Sequence, residues 1–340
     1  MLPIQKEITS EVLLCDRKGN LNPRAVGWAR HPYHVCNLSG SFLRKKKWDY
    51  WCVTGDRFLF SATIASVDYS AVAFVYFLEY ESRRFQEQTV MIPLGRGLRM
   101  TERVIGSTEF EKDGLLLAFR PGTESLQIIC KSDNFGGQKL DVDIQIDRPA
   151  VLESLNVVVP WSKRRYQFTS KQHCLPAEGQ VRWGTDTFHF DKQSTFATLD
   201  YGRGKWPFRT AWNWAALATR TTAGDTVGIN MGARWTDGTG MNENGIIYNG
   251  KLFKIFDEID FAYNPEDFMR PWHLKTRSSD AIDLQFEPFF DRCAVTNLIL
   301  LKTSVHQMIG RYIGTVRVGG RQRIAIQNVP GWAEEHYARW

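Results

Sequence analysis

One stretch of this 340-residue chain gathers the residue types that proton chemistry on an apolar molecule needs. Between Trp183 and Gly245 lie five of the 12 tryptophans and nine of the 27 glycines. It includes Asp200-Tyr201-Gly202-Arg203-Gly204-Lys205-Trp206-Pro207, then Trp212-Asn213-Trp214, then Gly228-Ile229-Asn230-Met231-Gly232-Ala233-Arg234-Trp235. Asp237, Glu243 and further Gly and Asn residues close the run. Asp200, Asp237 and Glu243 are the candidate catalytic acids, because a carboxyl beside bulky aromatic rings is driven toward its protonated form and can donate. Trp206, Trp212, Trp214 and Trp235 are candidate ligand walls, and indole faces attract developing positive charge. Arg203, Asn230 and Arg234 are candidates to orient a polar end of the ligand. Acid delivered to an alkene or ether in such a site points to hydration, isomerisation or cyclisation.

Structural roles compete with each of these. Trp212 and Trp214 could fill a barrel core. Asp200 and Arg203 could pair only to fix a turn. The run from Asp237 to Gly245 could be a loop whose Gly and Asn residues supply positive φ. It does not fit a calcium loop, since Thr239 and Met241 stand where the EF-hand pattern needs acidic or Asn residues. Gly95-Arg96-Gly97 and Gly202-Arg203-Gly204 match no phosphate-binding fingerprint, and neither a GxSxG elbow nor an HExxH is present. His31, His34 and Cys36 lie close together, but no second pair has metal-ligand spacing, so an ordinary polar loop is expected and no metal or cofactor. Glu334-Glu335-His336 could hold an acid–base pair, although a solvated or salt-bridged tail is the simpler reading.

The elements that must position these residues are strands. Leu140, Val142, Ile144 and Ile146 alternate with polar residues, as do Ile282, Leu284 and Phe286. Leu115 to Arg120 and Leu126 to Lys131 flank Pro121-Gly122-Thr123-Glu124 and predict a hairpin. Ala71 to Leu78 is apolar at both parities, which predicts a strand covered on both faces. Val305, Met308, Ile309 and Tyr312 fit a helical spacing, but Gly310 and Gly314 interrupt it and a strand is favoured. Trp212 and Trp214 then share one face. Gly228, Asn230 and Gly232 share another, leaving room that an aromatic wall could bound. No long amphipathic helix separates the strands, which argues against a parallel α/β sheet. The fold class is all-β, two lipocalin-like antiparallel β-barrels packed together, with residues 1–165 in the first and 166–340 in the second.

Composition agrees with a globular protein. Hydrophobic residues make up 43% and charged ones 24%, and the net charge of +6 is too diffuse to imply a nucleic-acid partner. No apolar run is long enough to span a bilayer, and the first ten residues lack the apolar segment of a signal peptide. A cytoplasmic protein with six free, mostly buried cysteines is expected. Arg44, Lys45, Lys46 and Lys47 beside Trp48, Tyr50 and Trp51 could touch an anionic membrane surface, although a basic turn before a strand is the usual meaning. The expected partner is a hydrophobic small molecule; the oligomeric state is not legible.

The Asp200–Pro207 string, the Trp212–Trp214 pair and the run from Gly228 through Asp237-Gly238-Thr239-Gly240 to Glu243-Asn244 resemble the family called domain of unknown function 2804. Leu21-Asn22-Pro23, Gly27-Trp28, the segment Arg44 to Trp51, and Gly331-Trp332-Ala333-Glu334-Glu335-His336 carry the same resemblance. That family brings no catalytic residues with it. More distantly the chain is similar to the tandem-lipocalin group, which includes AttH-like proteins, carotenoid hydratases of the hydroxyneurosporene synthase type, tocopherol cyclase and fungal Diels–Alderases. The resemblance implies an isoprenoid, lipid or polyketide-like molecule enclosed in a barrel or between two barrels, by a hydratase, isomerase or cyclase. A non-catalytic lipid carrier, or a structural protein with no ligand, are the alternatives.

Overall fold

Leu140, Val142, Ile144 and Ile146 all turn into one buried core, and Ile282, Leu284 and Phe286 turn into another. The computed structural model describes residues 5–41, 43–297, 302–320 and 322–339. Residues 1–4 of the segment read for a signal peptide lie outside them. The regular elements among the described residues are strands, apart from one short 3₁₀ turn at Pro23–Ala25. The predicted hairpin is present, Leu115–Pro121 pairing antiparallel with Ser125–Phe135. Val305 to Tyr312 lies in the strand Lys302–Val318, with Val305 and Ile309 on one face and Met308 and Tyr312 on the other.

Two large sheets carry the fold. The first is a nearly closed barrel whose path runs Phe85–Pro93, Ser70–Glu79, Phe58–Ser66, Lys45–Thr54, Phe196–Lys205, Arg165–Trp183, Gln138–Asp147, Ser125–Phe135. It continues past residue 165 to Lys205, because the 19-residue strand Arg165–Trp183 pairs both with Leu155–Ser162 before it and with Phe196–Lys205 after it. The second is a half-barrel centred on Thr226–Ala233, Arg209–Arg220, Gln322–Arg339, Lys302–Val318 and Ile282–Asn297. Two lipocalin-like antiparallel barrels are thus the architecture.

Alternation explains how the two pack. On Lys45–Thr54, Trp51 and Val53 point into the first barrel, whereas Tyr50 and Cys52 point out toward the second. On Ser70–Glu79, Ala73, Val75 and Phe77 point inward, and Tyr76 and Leu78 outward, so this strand is covered on both faces. The second sheet does the same. Ala215, Leu217, Met308 and Tyr312 fill its concave side, while Trp214, Ala216, Ile309 and Trp332 meet the first barrel. Three layers of apolar side chains result. Each large side chain buried in the middle layer contributes about 1.5–3 kcal/mol toward holding the sheets together.

Candidate functional site

The middle layer is not solid. Between the outward faces of the two sheets lies a cleft of about 300 Å³, partly open to solvent. Trp48, Trp206, Trp212, Trp214 and Trp235 line it, with Phe74, Met91, Val72 and Val305. Asp200, Glu243, Glu334, Glu87, Lys171, Arg292, Gln307 and His336 bring polar groups to it. The barrel interiors, in contrast, are packed with side chains such as Trp51, Phe60, Phe77 and Phe119.

Strand register builds the charged centre. Lys171 and Asp200 are directly opposed on neighbouring strands, and Lys171 Nζ lies 3.0 Å from Asp200 Oδ1. The same ammonium lies 3.2 Å from Glu243 Oε2 and 4.2 Å from the Trp214 ring centre. Thr169 Oγ1 donates to Asp200 (3.1 Å), and Trp235 Nε1 donates to Glu243 Oε1 (2.7 Å). Burial alone would lower the Lys171 pKa, but Asp200 and Glu243 outweigh it and raise it. Burial raises the Glu243 carboxyl, helped by the Asp200 charge and opposed by Lys171. The site therefore holds two carboxyl groups around one cation.

A third carboxyl faces them. Glu334 and His336 share the cleft face of Gln322–Arg339, whereas Glu335 turns away to Arg234 (3.1 Å). Glu334 Oε1 accepts from Trp212 Nε1 (2.9 Å) and Oε2 from Gln307 Nε2 (3.2 Å). It forms no ion pair among the described residues, and burial pushes its pKa up to about 7 against the Trp212 bond and the more distant Lys171 and Arg292 charges. His336 stacks on Trp212 at 3.9 Å, and burial with the Arg292 charge holds it neutral, down to about 3. Gln307 Oε1 in turn accepts from Tyr76 (2.6 Å), whose hydroxyl meets that of Tyr50 at 2.9 Å. Arg292 makes two bonds to Glu87, 2.9 and 2.8 Å, across the same interface.

Of the residues singled out in the sequence, Asp200, Glu243, Trp206, Trp212, Trp214 and Trp235 meet in the cleft. The others do not. Arg203 has the opposite parity, so it enters the first barrel and pairs with Asp49 at 2.8 Å. Asn230 lies behind the wall, accepting from Trp214 Nε1 (2.8 Å) and donating to the Glu243 carbonyl (2.6 Å). Arg234 and Asp237 are exposed at a turn, where Asp237 accepts from the Arg234 backbone N–H. The glycines do not leave space for a ligand either. A Cβ at Gly232 would sit 2.2 Å from Glu243 Oε1, one at Gly228 2.5 Å from His173 Cβ, and one at Gly202 2.0 Å from the Trp48 ring. They make room for the cleft's own side chains. Sequence reading missed Lys171, Glu87, Arg292, Gln307 and Tyr76, and named Tyr50 only beside the basic run.

The remaining motifs find structural places. His34 is buried against the Ala25 carbonyl (2.9 Å), and no metal-binding group of His, Cys, Asp and Glu occurs among the described residues. Lys45 pairs with Asp68 at 3.4 Å and Lys46 is buried, so Arg44 to Lys47 is not a uniformly exposed cationic surface. Five cysteines are buried, Cys293 is exposed, and none is in a disulfide. No helix among the described residues is long and apolar enough to cross a membrane.

No curated protein matches this sequence. Among solved structures, CghA with Sch210972 is similar, at 9% identity over 89% of this chain and 90% of that one, with a TM-score of 0.54. Kievitone hydratase from Nectria haematococca aligns at 10% identity over 88% and 90%, with a TM-score of 0.48. At 9% identity the likeness to CghA is one of fold. In sequence, residues 5–340 match the family described as Domain of unknown function (DUF2804), and the chain belongs to it.

Proposed function

We propose that the cleft binds a small apolar molecule bearing an alkene or ether and protonates it, in a hydration, isomerisation or cyclisation. The observation that carries this reading is Glu334: a carboxyl with no ion-pair partner among the described residues, half protonated near pH 7, in a cleft walled by indoles. Glu334 gives its proton to the ligand. The faces of Trp212 and Trp206 then stabilise the positive charge that develops, Trp214 already facing the Lys171 ammonium, and the Asp200–Glu243 pair, with one cation between two carboxyls, adds to that field. Water or a hydroxyl of the ligand adds to the cationic carbon, and Asp200 or Glu243 takes up the proton released. Loss of a neighbouring proton instead gives the isomer. A ligand of CghA occupies a related fold, which accords with this reading without naming the substrate. The free thiols accord with a reducing, cytoplasmic setting.

The test is direct. Short isoprenoid alkenes and alkenols are added to the protein in deuterated water, with indole quenching as the binding readout and mass spectrometry for deuterium or added water. Quenching with deuterium uptake is expected, and E334Q should keep the quenching and lose about a hundredfold or more of the uptake. D237N should leave both unchanged, since Asp237 lies outside the cleft. Quenching without any isotope uptake makes this protein a carrier. Absence of both removes the ligand-binding reading.

A further inference from the structure

A second cluster lies on the opposite face of the same half-barrel. Cys293 and His306 are directly opposed on the strands Ile282–Asn297 and Lys302–Val318. His306 Nε2 faces Cys293 Sγ at 3.8 Å, and His306 Nδ1 lies 2.9 Å from Asp291 Oδ2. A carboxylate only accepts, so Nδ1 carries the proton and the Nε2 lone pair is aimed at the thiol. Phe268 stacks on the imidazole at 4.5 Å and fixes its plane. A nucleophile, a base and a group that orients the base are thus in order. Cys293 is also the only exposed thiol of the six. Asp291 and Cys293 have the opposite parity to Arg292, whose side chain lines the cleft, so this cluster is separate from the site above.

We propose that Cys293, His306 and Asp291 form a second reactive centre, in which the thiol attacks a low-molecular-weight disulfide with His306 as general base. His306 Nε2 takes the thiol proton as the Cys293 sulfur attacks one sulfur of the disulfide. The reagent's S–S bond breaks, a new one forms to Cys293, and the imidazolium proton passes to an alkyl thiolate as it departs, or to solvent where the departing aromatic thiolate is too weak a base to take it. Cys293 is oxidised to a mixed disulfide and half of the reagent is reduced to a thiol. The groups facing the centre are Asp291, Arg292 behind the strand, and Glu335, which lies opposite His306 on the next strand and is paired with Arg234. Partial burial and the Asp291 charge hold the thiol above the usual cysteine range, so without help Cys293 would be slower than a free thiol at neutral pH.

The experiment follows the reaction of the native full chain with the aromatic disulfide dithiobis(nitrobenzoate), by thiolate release, between pH 6.5 and 8.5. Glutathione disulfide with mass readout is the second arm. One fast equivalent, lost in C293S, is expected. As pH falls from about 8.5 to about 6.5 an unassisted thiol at or above the usual cysteine pKa loses about fiftyfold to a hundredfold in rate, because its thiolate fraction falls. The native chain should lose less than about tenfold, and H306Q and D291N should restore the steep dependence. A native profile as steep as that of the unfolded chain, or one unchanged in H306Q, would overturn the proposal. Should H306Q fail to fold, the native profile and D291N decide it.

Discussion

Replacing Glu334 by Gln tests the protonation state on which the cleft chemistry depends, and it can be read without knowing the substrate. Gln has the shape of the protonated acid. Its carbonyl can still accept from Trp212, and a rotated Gln307 amide can accept from its N–H. Below pH 4.5 the acid is protonated in both the folded and the unfolded chain, and it contributes no pH dependence. Between 4.5 and about 7 the unfolded chain releases the proton while the folded chain keeps it. The folded pKa is raised, so the stability this group confers is present at low pH and is lost as pH rises through about 7. That interval at about 1.36 kcal/mol per pH unit amounts to a loss of about 3 kcal/mol. Gln cannot ionise, so the stability difference, wild type minus E334Q, should fall by about 3 kcal/mol from pH 4.5 to pH 8. Urea unfolding followed by indole fluorescence measures it at each pH, and the subtraction removes groups common to both chains. A flat difference curve would mean that Glu334 is ionised when folded, and it could not then be the proton donor.

K171M should destabilise the fold by about 3–5 kcal/mol at neutral pH, because two buried carboxyls lose their shared cation. The deficit should shrink as pH falls and those carboxyls protonate, which urea midpoints at several pH values would reveal; an unchanged deficit would show that the loss is one of packing. G232A should push Glu243 out of its place, since the new Cβ would stand 2.2 Å from Oε1 and 2.5 Å from Cγ. Overpacking of this kind costs about 1–3 kcal/mol, and it should alter Trp235 emission by breaking the Nε1 bond to Glu243, whereas an unaltered spectrum and midpoint would contradict the geometry.

How much of this was legible in the sequence follows from what periodicity can and cannot say. Period-two patterns identify strands and their faces, so Leu140 to Ile146 could be placed against a core before any coordinates. The same rule separates Glu334 and His336 from Glu335, and applied to the tail it would have put two of the three in the cleft. It fails where both faces of a strand are buried. On Phe196–Lys205, Asp200 points to the cleft and Arg203 into the barrel, and composition does not say which face is which. Lys171 was missed because a lone lysine in a strand carries no local signal; only register brings it opposite Asp200. The glycines misled because an absent side chain shows that something approaches closely, not what. Here it is Trp48, His173 and Glu243.

The two sheets divide the proposed chemistry between them, and that division makes docking and acidity one problem. Lys171 and Asp200 come from the first barrel, Glu334 and Trp212 from the second, and Glu243 from the loop ahead of Gly245–Tyr248. Gln307 holds Glu334 with its amide nitrogen and the first barrel's Tyr76 with its oxygen. The Arg292–Glu87 pair crosses the same boundary. Separation of the sheets would break these bonds, admit water, and return Glu334 to the range of an exposed carboxyl, since burial is what raised it. The proposed donor is therefore poised near neutral pH only while the sheets are docked. This also explains why the cleft lies between barrels rather than inside one. A closed interior surrounds its contents with a single sheet, whereas an interface lets buried acids and their counter-charges be supplied from opposite sides.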